Sequence, residues 1–180
     1  AKGLIALHQV EYLYKHISRF NFDYIGGTST GALMTALLAR GFAPSAIIDI
    51  YKNELPSIFN KGCLRQIRGL SKYSNSHLKG LAYDLLGDVT LGEMTQKILI
   101  PAVNTSKRET VIFKSHDPKF ADFKLVDVII ASAAAPTFFP AHRINDYWYK
   151  DGGLAANNPS DMLLAECQDE KLGFDEVNIL

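Results

Sequence analysis

Ile25-Gly26-Gly27-Thr28-Ser29-Thr30-Gly31 is the stretch that decides the fold, because it places a serine on a glycine-flanked turn between two regular elements. Its last five residues match the pattern G-x-S-x-G. Asn21 to Ile25 predicts a short strand before the turn, and Ala32 to Ala39, closed by Gly41, predicts a helix after it. Such a turn imposes unfavourable backbone angles on the serine, which the glycines on either side relieve. The sequence thus predicts a hydroxyl exposed at the positive end of a helix.

This serine turn has two chemical interpretations. As a nucleophile elbow it presents the Ser29 hydroxyl to an ester carbonyl, and the helix N-terminus stabilises the oxyanion that forms. Alternatively, a glycine-rich turn binds a phosphate or only connects two elements. The turn contains no lysine and lacks the full G-x-G-x-x-G spacing, which weakens the phosphate interpretation. The motif by itself does not decide between a nucleophile elbow and a turn that only connects two elements.

Strand and helix signals alternate along the rest of the chain. Strands are predicted at Ile98 to Val103, Thr110 to Lys114 and Tyr147 to Lys150. Helices are predicted over Gly3 to Arg19, from Pro44 through Tyr51, after the capping box Thr90-Leu91-Gly92-Glu93, over Leu125 to Ala134, and from Asn158-Pro159 to Glu170. Leu55 to Gly87 is predicted to be irregular with short helices. The alternation predicts an α/β layered fold with a mainly parallel sheet.

Composition and chain length favour one globular domain. The chain has 180 residues, and its nineteen basic residues balance nineteen acidic ones, so no global field favours nucleic acid as a partner. Its two cysteines, Cys63 and Cys167, show neither a disulfide framework nor metal-ligand spacing, and no metal or other cofactor is expected.

The apolar runs and the chain ends bear on location and completeness. Runs such as Val128 to Ala135 are too short to cross a bilayer, and no signal peptide is visible. A cytoplasmic or peripheral membrane location is therefore expected. The chain begins at Ala1 without methionine and ends on Val177-Asn178-Ile179-Leu180, which is typical of a strand cut short. We expect one domain over residues 1–180, trimmed at both ends.

Positive charge is concentrated between Lys52 and Lys79, a stretch that contains six basic residues and a single acidic residue, Glu54. The plain interpretation is a solvated, partly helical surface. The alternative is a face that contacts anionic lipid headgroups, which would make the protein a peripheral membrane protein.

A serine hydroxyl needs a base within hydrogen-bond reach to act as a nucleophile. Asp151 is the better candidate, because it ends a predicted strand and its two following glycines allow another turn to approach. An Asp-Gly turn that merely ends a strand is the plain alternative. A catalytic triad that contains Ser29 and His142 is also possible from their positions in the sequence. Its third member would be Asp117, Asp122 or Asp127.

Four ordered blocks make the sequence resemble the patatin-like phospholipase family. They are Ala1-Lys2-Gly3-Leu4, Gly27 to Gly31, Ala131 to Pro140 (ASAAAPTFFP), and Asp151-Gly152-Gly153, with Asn157-Asn158-Pro159 after the last. The resemblance spans nearly the whole chain. It implies a three-layer sandwich, in which helices flank a mainly parallel central sheet.

The resemblance also implies a mechanism and a substrate class. Ser29 would be the nucleophile and Asp151 its base, without a histidine between them, in a serine hydrolase that cleaves phospholipids or other acyl lipids. The elbow residues Thr28 and Thr30 would flank the nucleophile. Lys2 and Gly3 match only the last two positions of the family's oxyanion loop, so this chain starts after its principal glycines.

Two other classes of function stay open at this point. A serine acyltransferase also uses a G-x-S-x-G elbow, but it needs a histidine partner and usually an arginine, and neither stands in a suitable motif. A catalytically weak domain of the same fold that binds lipid or a partner is the second alternative. The presence of both Ser29 and Asp151 counts against it, whereas the missing glycines favour it.

Overall fold

Strand β2 (Lys97–Asn104) is the centre of the sheet in the computed structural model, which describes residues 2–17, 22–58, 71 and 73–169. Strand β3 (Glu109–Lys114) pairs with it antiparallel along one edge. The other edge carries β1 (Tyr24–Gly26), which is parallel to β2, and β5 (Tyr147–Asp151), which is antiparallel. Strand β4 (His142–Ile144) continues the sheet beyond β5. Because β2 is paired on both edges, most of it is buried.

Strands β1 and β5 meet the same edge of β2 end to end. Gly26 of β1 pairs with Leu99, and Asp151 of β5 pairs with Ala102, while β3 occupies the opposite edge at both positions. Since β1 runs parallel and β5 antiparallel to β2, their C-terminal ends point at each other on either side of Pro101. Strand register therefore brings together the turns that follow Gly26 and Asp151.

Helices cover both faces of the sheet. They are α1 (Lys2–His16), α2 (Thr30–Ala39), α3 (Pro44–Asn53), α4 (Leu55–Ile58), α5 (Asn75–Leu86), α6 (Leu125–Ser132) and α7 (Ser160–Asp169), with 3₁₀ turns at Leu91–Glu93, Pro118–Phe120 and Gly152–Leu154. A Cβ at Gly26 would meet Leu163 of α7, and a Cβ at Gly27 would overlap Thr35 of α2. Successive residues of an extended chain point to opposite faces. Helices α2 and α7 therefore lie on opposite sides of the sheet.

Helix α6 is the most deeply buried of the helices and leads into the gap between β1 and β5. Its sequence LVDVIIAS is aliphatic on almost every side, and only Asp127 in it is not buried. Beyond its C-terminus, the Ala134 carbonyl accepts the backbone N–H of Asp151 at 3.1 Å. The end of α6 thus adjoins the end of β5.

The α/β fold with a helix-flanked sheet is confirmed, but the prediction of a mainly parallel sheet is wrong for the described strands. Only the β1–β2 pair is parallel, and the other three pairs are antiparallel. A parallel pair needs a crossover of about a dozen residues or more. The connections 105–108 and 145–146 are tight turns, so β3 and β5 can only fold back on their predecessors.

Leu55 to Gly87 is predicted to be irregular with short helices; the short helix α4 agrees, whereas in the second half α5 is a longer, regular three-turn helix. The Ser74 hydroxyl caps it by accepting the Ser76 N–H at 3.2 Å, and Gly87, with φ 71°, ends it. Leu78, Ala82 and Leu86 recur at helical spacing and are buried. Residues 59–70 and the predicted strand Val177–Leu180 lie outside the described residues.

Gly152→Ala is expected to destabilise the protein by about 1–3 kcal/mol, because its Cβ would overlap the backbone carbonyl of Pro101. Gly80→Ala is the matched control. Gly80 lies inside α5, and a Cβ there would meet nothing within 4 Å, so alanine should stabilise by about 0.5–1 kcal/mol. Urea unfolding of both variants measures the difference. Equal unfolding midpoints would contradict the close approach of the Asp151 turn to β2.

Candidate active site

The serine turn joins β1 to α2 with Ser29 in a strained backbone conformation. Its φ is 59° and its ψ −122°, a region that costs a non-glycine residue about 1–3 kcal/mol. A Cβ at Gly27 would overlap the Gly31 carbonyl and the Thr35 hydroxyl, so the predicted need for glycine is confirmed there. A Cβ at Gly31 would meet nothing within 4 Å, so the same prediction is wrong for Gly31.

Asp151 ends β5 and faces the serine. The Ser29 hydroxyl donates to Asp151 Oδ2, with 2.6 Å between the two oxygens. The other carboxylate oxygen, Oδ1, accepts the Gly153 N–H at 2.7 Å, because the side chain caps the 3₁₀ turn that follows. Asp151 is only 5% exposed. Both of its oxygens are engaged, and its orientation toward the Ser29 hydroxyl is therefore fixed.

Close contacts fix the position of the turn after Asp151 relative to the neighbouring segments. The buried Thr28 hydroxyl donates to the Ala156 carbonyl at 2.9 Å, which ties the serine turn to the loop after Asp151. A Cβ at Gly153 would lie 2.9 Å from Asp151 Oδ1, and one at Gly152 would overlap Pro101. Gly152 thus permits a close approach to strand β2 and Gly153 one to the Asp151 carboxylate, whereas the predicted approach of another turn to these glycines stays a prediction.

Sequence reasoning missed Ser132, the last residue of α6. It is fully buried, accepts the Ser29 N–H at 3.1 Å and donates to the Pro101 carbonyl at 2.6 Å. The signal that could have found it was chemical: a hydroxyl closes an otherwise aliphatic buried helix, where it needs partners.

His142 lies on β4 and forms its hydrogen bond away from the serine. Its Nε2 is 2.9 Å from Asp127 Oδ1, to which Lys79 Nζ also donates at 2.8 Å. The hydrogen bond from His142 is the largest cause that lowers the pKa of Asp127 to about 2. The structure therefore pairs Ser29 with Asp151, and His142 with Asp127.

Tyr51 of α3 connects the beginning of α1 to the serine turn. Its hydroxyl donates to the Thr30 carbonyl, and a Cβ at Gly3 would lie 3.6 Å from its ring. Burial raises the pKa of Tyr51 well above its ordinary value, which keeps the hydroxyl a donor. Gly3 and Lys2 both belong to the first turn of α1. Gly3 is thus linked to the serine turn through Tyr51.

An apolar pocket of about 240 Å³ begins at the serine. Ser29 and Thr30 are its polar members, and its other lining residues are Leu55, Ile58, Leu78, Ala133, Ala135, Phe138 and Phe139. Phe139 is buried, whereas Phe138 is 46% exposed. Because the described walls offer almost no hydrogen-bond partner, the pocket suits an alkyl chain rather than a polar group.

The described residues bear on metal binding and on membrane insertion. No group of three or more His, Cys, Asp or Glu side chains in the described part of the chain is arranged to hold a metal ion. None of the helices described has both the length and the apolar character needed to cross a bilayer.

Comparisons with known proteins agree on one family. A family model described as Patatin-like phospholipase matches residues 1–164. Patatin-like protein 2 of Arabidopsis thaliana is 33% identical over 179 residues, which cover 84% of this chain and 44% of that protein. A cGAMP-activated phospholipase of Escherichia coli (strain TW11681) is 35% identical over 166 residues, 86% of this chain and 47% of that protein.

A structural comparison agrees in fold. The crystal structure of VipD from Legionella pneumophila superposes with a TM-score of 0.62 at 15% identity, covering 85% of this chain and 44% of VipD. At so low an identity the likeness concerns the fold alone. The chain spans about half the length of the relatives it matches.

The cluster of Asp127, His142 and Lys79 should make stability depend on pH in the acid range. The folded-state pKa of Asp127 is lowered from 3.8 to about 2, so its stabilising contribution is present above pH 4 and is lost as the pH falls toward 2. The free energy of unfolding should therefore fall more steeply between pH 4 and 2 for the wild type than for Asp127→Asn. Parallel pH profiles for the two proteins would contradict the pairing.

Proposed function

The chain belongs to the patatin-like phospholipase family, and from this premise we propose that it is a lipid acyl hydrolase with Ser29 as nucleophile and Asp151 as general base. The observation that carries the proposal is the 2.6 Å hydrogen bond between Ser29 Oγ and Asp151 Oδ2 at the end of an apolar pocket. A hydroxyl with a proton acceptor beside it supplies the nucleophile and base of ester hydrolysis, and the pocket offers a site for the alkyl chain of a lipid ester.

In the acylation step, Ser29 Oγ attacks the ester carbonyl carbon while its proton passes to Asp151 Oδ2. The carbonyl oxygen becomes an oxyanion, which then collapses as the bond to the leaving alcohol breaks. The proton on Asp151 goes to that alcohol oxygen. The result is an acyl-enzyme, and the Gly153 N–H holds the carboxylate in place throughout.

The oxyanion needs donors, and the elbow supplies one. The Ser29 N–H already donates to Ser132. No described residue accepts the Thr30 N–H, which begins α2 at the positive end of the helix. Thr30 N–H is therefore the elbow's donor to the oxyanion, and the first turn of α1 with Gly3, linked through Tyr51, is the region from which further donors come.

Deacylation reverses these roles. Asp151 takes a proton from water, the resulting hydroxide attacks the acyl carbonyl, and the carboxylic acid leaves as Ser29 regains its proton. His142 takes no part, because it is paired with Asp127.

We propose carboxylic esters of glycerolipids, phospholipids among them, as substrates. The walls of the pocket are aliphatic and aromatic, and each methylene buried there contributes about 0.8 kcal/mol. The Escherichia coli relative is named a phospholipase, which agrees in substrate class. Contact with an anionic membrane surface stays a prediction, because Lys61, Arg65, Arg68 and Lys72 lie outside the described residues and Lys79 pairs with Asp127.

Ser29→Ala should lower the hydrolysis of a medium-chain nitrophenyl ester on the order of 10⁴- to 10⁶-fold, because it removes the nucleophile. Alanine is no larger than serine and should fit the turn, so the unfolding midpoint should change little. The activity should therefore be lost because the nucleophile is missing, not because the protein unfolds. A serine-reactive phosphonate should label the wild type at Ser29 and leave the variant unlabelled. Hydrolysis by the folded variant at the wild-type rate would contradict the assignment of Ser29 as the nucleophile.

Asp151→Asn and His142→Gln together separate a dyad from a triad. Asparagine at 151 has no proton-accepting charge, so kcat should fall on the order of 10²- to 10⁴-fold. His142→Gln should keep most of the activity, because His142 bonds to Asp127 rather than to Ser29. Circular dichroism must first show that both variants are folded. A near-normal Asp151→Asn, or a folded but inactive His142→Gln, contradicts the dyad.

A further inference from the structure

A buried hydroxyl joins three chain segments where the candidate site is assembled. Ser132 Oγ donates to the Pro101 carbonyl of β2 at 2.6 Å and accepts the Ser29 N–H at 3.1 Å. Ser132 is 0% exposed and lies at the end of α6, whose next residues carry the Ala134 carbonyl that holds the N–H of Asp151. One side chain thus contacts the centre of the sheet and the backbone of the nucleophile.

The Pro101 carbonyl is an anchor because of where it lies on β2. The Leu99 carbonyl accepts the Gly27 N–H, so it points to the edge that β1 and β5 share. In a strand, residues two apart point to the same edge, and the Pro101 carbonyl therefore faces the gap between β1 and β5. Proline leaves no N–H unpaired in that gap. The Ser132 hydroxyl occupies the gap and satisfies the carbonyl.

At its other end, the hydroxyl holds a strained residue. Ser29 keeps φ 59° and ψ −122° only while its surroundings oppose relaxation. Because the Ser132 proton is committed to Pro101, a lone pair of its oxygen is left to face the Ser29 N–H. Relaxation of the turn would break this bond and leave the Ser29 N–H and one lone pair of the Ser132 oxygen without a partner in a partly buried region.

We propose that Ser132 is a positioning residue for the hydrolase reaction: it holds the backbone of Ser29 so that the hydroxyl stays directed at Asp151. This role rests on the proposed function. By taking up the Ser29 N–H, Ser132 also leaves the Thr30 N–H as the elbow's donor to the oxyanion. Ser132 contacts neither the substrate nor the reacting atoms and acts through the geometry of the turn.

Ser132→Ala should lower kcat roughly 10- to 100-fold, because small displacements of a nucleophile cost up to about 100-fold in rate. The KM for a medium-chain ester should stay within about twofold, since the apolar pocket is untouched. The rate of labelling by a serine-reactive phosphonate should fall in parallel with kcat. A general loss of folded protein would also lower the apparent kcat at unchanged KM, but the remaining active sites would be labelled at the wild-type rate, so the fall in labelling rate distinguishes positioning.

Ser115→Ala is the matched control. The Ser115 hydroxyl is also buried, accepts the Ile98 N–H at 2.9 Å and donates to the Gln96 carbonyl at 3.0 Å, so it makes the same pair of bonds at the beginning of β2. Its removal should cost comparable stability in urea unfolding and leave kcat and phosphonate labelling unchanged. If Ser132→Ala does not fold, Ser132→Cys, which preserves the buried volume with a weaker acceptor, replaces it and should also lose kcat.

The outcomes separate this role from the function on which it rests. A wild type that neither hydrolyses esters nor reacts with the phosphonate overturns the proposed function and, with it, the role of Ser132. With an active wild type, a folded Ser132 variant of normal kcat and labelling rate overturns the positioning role alone. A loss of kcat in Ser115→Ala equal to that in Ser132→Ala also overturns it, because the effect would then follow stability.

Discussion

The meeting of β1 and β5 along one edge of β2 is the constraint on which the rest of the site depends. Their register places Gly26 against Leu99 and Asp151 against Ala102, so only the span around Pro101 separates the two strand ends. A hydroxyl and a carboxylate 122 residues apart in sequence then fall within 2.6 Å. Strand β1 must pair parallel with β2, and β5 must pair antiparallel with it. Only then do the C-terminal ends of β1 and β5 point toward the gap between them.

The elements around that gap compensate for strain in the serine turn. Ser29 occupies angles that its own residue type disfavours, and the first turn of α2 follows directly. Thr28 holds the turn from the side of the aspartate loop, and Ser132 holds it from α6. Because each hydroxyl has a backbone carbonyl as its acceptor, the compensation depends on the main chain rather than on mobile side chains. Rigid support of this kind suits the proposed nucleophile, because its reactivity depends on the direction in which its hydroxyl points.

The same architecture separates polar from apolar chemistry. Ser29, the hydrogen-bond partner of Asp151, lies at one end of a pocket whose described walls, apart from Thr30, are aliphatic and aromatic. The other charged group nearby in the fold, Asp127 with His142 and Lys79, ties α6 to α5 and β4 instead. A histidine is thus present in the fold and has a structural partner. This division leaves the Asp151 carboxylate as the partner of the Ser29 hydroxyl, beside a pocket whose described walls are mostly apolar.

The sequence by itself determined the local elements and the candidate pair Ser29 and Asp151. Glycine at 27, the strand before it and the helix after it follow from backbone sterics and propensity, and the order of the four blocks selected Asp151 over His142. Tertiary structure alone decided the sheet's mixed pairing, the partner of His142 and the contacts of Ser132. Strand pairing and buried hydrogen bonds depend on which distant segments meet, and local patterns do not identify those segments. Ser132 shows the difference: in sequence it is one small residue before three alanines, and only the carbonyl left open by the gap in the sheet gives it a place.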